Sequence, residues 1–375
     1  MKRTFFISIT AITLTLCMTP LLYAGAGRTA AQFLSLGGGT RAAALADAFS
    51  AISGDVTAAF WNPSGLTGID KREATLAYTD YSNLFGEAGE GLYYALFAGA
   101  MPIGDWGVVG TTLQINGQGI IDITADSPDV IRQENLGTNW AWAVSYADEV
   151  APNLLAGVSG KVIRQVLGPV SSTAYALDIG TQYGFPDLSV PIVLGAAIQN
   201  WGTRIQFKDE HQSDPLPRTF KLGAAFKILD EEYHKLQLVG DFTAFIDKLS
   251  EDDEEGLEEV VEQRYTENNP ENKTKEQIRS DIEAERGVGI HAFRYSNMSK
   301  SIGAEYWLAN ILALRVGYKV DPFMPVVINE FEDHVDRVTA GIGIRYSNYQ
   351  FDYALVPGGG PNNKRLNTFA LLIRF

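Results

Sequence analysis

Several kinds of chemistry are close to absent from this chain. Cysteine occurs once, as Cys17, in 375 residues, which excludes a disulfide framework and any thiolate metal cluster. The four histidines, His211, His234, His291 and His334, are scattered, with no HExxH or comparable ligand spacing. There is no GxSxG, no Walker A loop and no GxGxxG between a strand and a helix. Gly358-Gly359-Gly360, set between Pro357 and Pro361, reads as a loop tip. The expectation is a protein that is not an enzyme and carries no cofactor or metal. Charged residues make up only 20% of the chain and are unbalanced, 30 Lys plus Arg against 45 Asp plus Glu, a formal charge of −15. That balance lacks the basic face a nucleic-acid partner requires. Beyond an N-terminal run, no stretch of about 18 uninterrupted apolar residues occurs, so no transmembrane helix is expected.

What is plentiful is glycine, at 37, together with 19 Phe, 16 Tyr and 6 Trp. Spread evenly, these belong to repeated short strands. The first 24 residues stand apart. Lys2 and Arg3 precede a mostly apolar run from Phe5 to Leu22, closed by Leu22-Tyr23-Ala24. This has the form of a signal peptide cleaved after Ala24, and an uncleaved membrane anchor is the alternative. A lipoprotein is excluded because Leu16 stands before Cys17, where a small residue is required.

From about Arg72 onward the sequence alternates with a period of two. At the C-terminus Phe369, Leu371, Ile373 and Phe375 share one face and Thr368, Ala370, Leu372 and Arg374 the other. Leu312, Leu314, Val316 and Tyr318 likewise oppose Ala313, Arg315 and Gly317. One face is aliphatic and aromatic, and the other holds Gly, Ala and isolated charges. In a soluble sandwich the apolar face would be inside. In an outer-membrane barrel it meets lipid, and the Gly-rich polar face lines the lumen. Tyr residues near strand ends (Tyr306, Tyr318, Tyr346, Tyr349, Tyr353) suit an interfacial girdle. The final Phe375, with Phe369, Leu371 and Ile373, resembles the C-terminal assembly signal of outer-membrane barrels.

Strands are read near 72–80, 91–101, 105–114, 138–148, 154–165, 172–183, 191–200, 218–228, 236–246, 299–308, 312–320, 337–346, 349–356 and 367–375. Fourteen is even, as bacterial single-chain barrels require, and one alternate set of connections is short while the other is mostly long and polar. The fold class is therefore all-β, a 14-stranded antiparallel transmembrane barrel covering 71–375. Its place is the outer membrane of a diderm bacterium, with membrane lipid as its first partner. Keeping Leu308 and Leu312 both toward lipid requires a three-residue turn with Asn310 left-handed. That register sets Glu305 opposite Arg315 on the lumen side, where an opposite-charge pair is favourable.

Residues 25–70 break the alternation. Thr40 to Ile52 has good helix propensity, with Leu45, Phe49 and Ile52 at helical spacing and Gly54 at its end. In Asn62-Pro63-Ser64-Gly65, Pro63 fixes φ and Gly65 permits positive φ, so a turn is expected. Either it is a surface turn, or the whole segment is a helical plug filling the lumen. The plug reading takes in Arg41, Phe49, Phe60, Trp61, Asn62, Pro63, Ser64 and Gly65. The stretch LGGGTRAAALADAFSAISGDVTAAFWNPSGL (36–66) resembles the N-terminal hatch of the FadL-like outer-membrane barrels, with Ser64 in place of an Ala. SIGAEYWLANILALRVGYKV (301–320), with DFTAFIDKL (241–249) before it, is similar to the PorV/PorQ branch of that superfamily.

The resemblance to that branch implies a role in type IX secretion, binding the C-terminal domains of exported cargo and working with other secretion-system proteins. The wider superfamily implies a second function, passage of a hydrophobic small molecule, with Leu45, Phe49, Phe60 and Trp61 lining its pocket. A third possibility is a structural barrel that carries no solute. The insert at 248–298 is acidic over 248–286, with 14 Asp or Glu against 6 Lys or Arg. Leu257, Val260, Val261 and Tyr265, then Ile278 and Ile282, fall at helical spacing, so amphipathic helices in an outer loop are expected. Glu251, Asp253, Glu255, Gly256, Glu259 and Glu262 nearly match a calcium loop, weakened by Glu at its first and fifth positions and by Glu258.

Overall fold

The structure, a computed structural model, describes residues 29–82, 89–124, 130–207, 213–246, 258, 261–263, 265–266, 273–286, 298–320, 338–357 and 364–375. The expected signal peptide, Cys17, and the calcium-loop positions Glu251, Asp253, Glu255, Gly256 and Glu259 lie outside these residues, as do most of the longest loops.

Fourteen antiparallel strands close into one barrel. They are β1 Glu73–Asp80, β2 Leu92–Pro102, β3 Val108–Gln118, β4 Thr138–Ala151, β5 Leu154–Leu167, β6 Val170–Phe185 and β7 Ile192–Gly202. The second half comprises β8 Thr219–Asp230, β9 His234–Phe245, β10 Ser299–Leu308, β11 Leu312–Val320, β12 Val338–Tyr346, β13 Tyr349–Pro357 and β14 Arg365–Arg374. Each strand pairs with its neighbour in sequence, and β14 pairs with β1, Phe369 opposite Tyr78 and Leu371 opposite Leu76. Closure removes the exposed sheet edge that an open sheet would carry. The fourteen strands read from the period-2 pattern are these fourteen.

The direction of the apolar face rules out the sandwich. On β11 Leu314 is 49% exposed whereas its neighbour Arg315 is 4% exposed. The same alternation runs around the wall, with Phe97, Val144, Leu177, Leu222, Ile302, Ile344 and Phe351 all exposed on the outside. A soluble protein would not leave such a belt in water; against acyl chains it is the favourable arrangement. No helix among the described residues is long and apolar enough to cross a membrane, so crossing is by strands.

The two barrel ends differ. At one end the connections are short, including Ser347-Asn348 and Ala309-Asn310-Ile311. In the latter turn Leu308 pairs with Leu312, and Ala309 and Asn310 are left-handed, at φ 52° and 54°. At the other end two connections carry ribbons of their own, Ile120–Thr124 with Val130–Asn135 and Ile205–Gln206 with Ser213–Asp214. The outer segment between β5 and β6 is shorter than the pattern implied. Both strands run on to a turn at Gly168-Pro169, with Gly168 at φ 57°.

The helix expected over Thr40 to Ile52 is corrected. Only α1, Thr40–Ala44, is helical; Ala46 and Asp47 then take positive φ, 56° and 67°. Propensity loses here to tertiary contacts. Lys319 holds Asp47 at 3.0 Å, and Asp241 accepts the N–H groups of Phe49 and Ser50 at 3.0 and 2.9 Å. A continued helix would need those two N–H groups for itself. A second short helix, α2 Ala58–Trp61, leads into a 3₁₀ turn at Pro63–Gly68. Gly65 does not use positive φ. Its role is close approach, since a methyl there would stand 2.6 Å from the Ile52 carbonyl oxygen and 2.7 Å from Ala58 Cβ.

Candidate functional site

The inward face of the barrel is small, and residues 29–71 fill the space this leaves. At Gly317 an added Cβ would lie 2.5 Å from Ala46 N, and at Gly180 it would overlap the Asn62 side chain. Wall glycines thus let another backbone approach where any larger residue would block it. The segment enters at the long-loop end. Ala30 N–H donates to Pro215 O at 3.0 Å, Ala31 N–H donates to Gln165 Oε1 at 2.9 Å, and Phe33 and Leu34 pack with Ile163, Ala174, Ile205 and Leu216. It leaves at the short-turn end, where Leu66 and Ile69 pack with Val108, Ala147 and Leu372 before β1 begins.

Polar wall residues tie the segment down at its backbone. Gln182 Nε2 donates to the carbonyls of Ser50 and Ile52, both at 3.0 Å, and Gln199 Nε2 donates to Phe60 O at 2.6 Å. Thr339 Oγ1 donates to Ala44 O at 2.9 Å. The segment reciprocates through Asn62, fully buried, whose Nδ2 donates to Ser50 O at 2.8 Å and to the wall carbonyl of Thr181 at 3.1 Å. Asn62 Oδ1 accepts Ser64 Oγ at 2.7 Å and Ser64 N at 3.2 Å, capping the turn that begins with Pro63. These bonds satisfy a non-helical backbone that would otherwise be buried without partners.

A charge network makes the second kind of contact. Arg41 Nε and Nη2 donate to Glu305 at 2.8 and 2.5 Å, and Arg41 Nη1 donates to Asp55 at 2.9 Å. Glu305 also accepts Arg315 Nε at 2.6 Å, and Arg315 Nη1 donates to Asp352 at 2.6 Å. Gln350 continues the chain, donating to Asp352 at 2.8 Å and accepting from Arg345. Arg374 closes it on Glu73 at 2.6 Å. Charges buried this deeply persist only when paired and hydrogen-bonded. Burial alone would raise the Asp55 carboxyl, but Arg41 and the bonds from Thr57 outweigh it and hold it below the usual carboxylate range. Burial works against the Arg41 charge, yet Glu305 and Asp55 keep it more firmly protonated than an ordinary arginine.

The residues singled out from sequence fall into three places. Arg41, Phe49, Phe60, Trp61, Asn62, Pro63, Ser64 and Gly65 lie together in the lumen. Phe60 and Trp61 meet edge to face at 4.9 Å, Arg41 sits 5.5 Å over the Phe49 ring, and Trp61 Nε1 donates to Gly38 O at 2.9 Å. Glu305 and Arg315 face each other across β10 and β11 and join that group through Arg41. Phe369, Leu371 and Ile373 are apart from both, on the outer face of β14, and Phe375 is exposed at its end. Sequence reasoning missed Gln182, Gln199, Asp241, Lys319, Thr339 and Asp352. Each sits at inward parity in its strand, a signal that was available. Among the described residues no group of three or more His, Cys, Asp or Glu gathers as metal ligands. The arrangement fastens a segment inside a wall.

Within the acidic insert α3 spans Lys275–Arg286. Lys275 pairs with Glu262 and Arg279 with Glu258, joining α3 to the helical residues around Val261, and Val261, Ile278 and Ile282 are buried.

Comparison with known proteins gives a family and a fold. A family model described as type IX secretion system protein PorV matches residues 25–249. The toluene transporter TbuX of Ralstonia pickettii is 13% identical, with a TM-score of 0.51 over 90% of this chain and 98% of its own. A FadL homologue of Pseudomonas aeruginosa is also 13% identical, with a TM-score of 0.48 over 90% and 98%. A search of curated proteins found no match. At such identities the structural likeness concerns the barrel fold alone.

Proposed function

Since the chain belongs to the PorV family of type IX secretion system proteins, we propose that it is a non-enzymatic outer-membrane barrel that handles cargo during type IX secretion. It receives the C-terminal domain of an exported protein at its long-loop end and passes it on. Docking a folded domain on such a rim needs shape and charge complementarity and no catalysis. The acidic insert supplies part of that surface.

The observation that carries this reading is the filled lumen. Leu45, Phe49, Phe60 and Trp61, the residues that would line a hydrophobic passage, are buried among themselves and the wall. Glu305, Asp241, Gln182 and Gln199 tie the same segment at separate points. A hydrophobic-solute transporter needs an apolar path, and here the apolar side chains of the segment serve as core.

Deletion of the gene tests the proposal. The expected result is loss of proteins from the cell surface with their accumulation in the periplasm, and unchanged uptake of long-chain hydrophobic compounds. Unchanged surface proteins with impaired uptake would overturn it in favour of transport.

A further inference from the structure

The outer wall carries a hollow that the secretion reading does not use. Between β4, β5, β6 and β7, near the long-loop end, an open cavity of about 670 Å³ faces away from the lumen. Gly160 forms part of its floor, where an added Cβ would meet nothing within 4 Å. Trp142, Val162, Tyr175, Leu177 and Trp201 surround it, and all but Val162 are exposed. Its walls are not loose. Trp142 Nε1 donates to Thr111 Oγ1 at 2.9 Å, Thr203 N–H donates to Tyr175 O at 2.9 Å, and Tyr175 N–H donates to Thr203 Oγ1 at 3.0 Å. The register slips between Leu177 and Ile179, and Asn200 is left-handed at φ 59°. This irregularity sets Trp201 opposite Leu177, at the rim.

A cation stands directly above. On β5 Val162 lies between Trp142 and Tyr175, and two residues further toward the loops Arg164 lies between Trp140 and Thr173. It shares the outward face, about 7 Å higher at the rise of a strand. Its guanidinium donates to Thr173 Oγ1 at 3.3 Å and Ser171 Oγ at 2.8 Å. Among the described residues no carboxylate lies within ion-pair distance of it. A cation met, among the described residues, by hydroxyls alone, on a wall facing lipid, is unfavourable until an anion joins it. Arginine and hydroxyl donors together suit a phosphate, with its several acceptor oxygens.

We propose that this face is a binding site for one phosphate-bearing lipid of the outer leaflet. Its phosphate sits on Arg164, Ser171 and Thr173, and one acyl chain lies in the hollow over Gly160. The vertical order of cation, aromatic rim and apolar floor matches the order of phosphate, interface and chain in a lipid. The outward direction excludes a solute passing through the lumen.

The test uses the purified full-length barrel in non-ionic detergent, read by native mass spectrometry. The probes are dimyristoyl phosphatidylglycerol, a neutral diacylglycerol of the same chains, and inorganic phosphate. The expected result is one phosphatidylglycerol adduct, with no comparable adduct of either other probe. Arg164→Gln and Gly160→Leu should each weaken it by about tenfold. Heat-dependent gel migration should show both variants folded, and Gly160→Val asks the same of the floor if Leu prevents assembly. Equal phosphatidylglycerol adducts on wild type and variants would overturn the proposal, as unspecific annular lipid. Phosphate binding alone, insensitive to Gly160→Leu, would reduce the site to an anion contact. Equal binding of the diacylglycerol would reduce it to an apolar groove.

Discussion

The lumenal segment and the acidic outer insert both use arginine–glutamate pairs. In the lumenal segment Arg41 meets Glu305, and the side chains are 17% and 3% exposed. In the outer insert Arg279 meets Glu258, at 33% and 60%. The chemistry is the same and the surroundings are opposite. An exposed pair competes with water and salt and contributes about 0–1 kcal/mol. A buried pair contributes little against an apolar replacement, but removing one partner leaves a charge stranded and costs about 3–5 kcal/mol. The lumenal pairs thus act as specificity devices, intolerant of partial loss, whereas those of the insert are adjustable.

The largest effect belongs to Glu305→Ala, which removes the carboxylate that Arg41 and Arg315 share and leaves each with one partner, Asp55 and Asp352. The expected loss is about 3–5 kcal/mol, read as a lowered temperature of heat modifiability on gels. An unchanged temperature would break the contrast. Next comes Asp241→Ala, which frees the N–H groups of Phe49 and Ser50. Each buried donor left unpaired costs about 1–3 kcal/mol, and limited proteolysis should cut within 45–53 where the wild type resists. A smaller effect follows pH. The Asp55 carboxyl is more acidic folded than unfolded, so its contribution is complete above the unfolded value of about 4 and disappears as pH falls through the folded one. Protection from amide exchange around Arg41 and Thr57, taken against the intrinsic rate at each pH, should fall on acidification, and Asp55→Asn should remove that dependence. The smallest belongs to Arg279→Ala, expected to change barrel stability by less than about 1 kcal/mol in the same gel assay.

The barrel was legible because its information is local and repeated. Alternation in the run from Ile311 to Tyr318 states both a strand and its lipid face, and Leu308 with Leu312 states the turn between. The segment was legible only in outline. Ala-rich residues after Thr40 announce a helix, and nothing near Ala46 or Asp47 announces that Lys319, far along the chain, will end it. Asn62 and Pro63 were identified as a turn, but the carbonyl of Thr181 that Asn62 reaches lies 119 positions away. Gln182, Gln199 and Asp241 look like ordinary polar breaks in a strand until something occupies the lumen. Positions defined by what they touch across the barrel leave no periodic trace.

The seam between the first and last strands carries one more consequence. Phe375 N–H donates to Arg72 O at 2.8 Å, so the final residue latches beside the point where the lumenal segment ends. The strands bearing Gln182, Asp241, Glu305 and Thr339 must all exist before that latch can close, and afterwards the cylinder has no side door. A newly made chain has to keep its front end waiting, unsheltered, until its tail arrives.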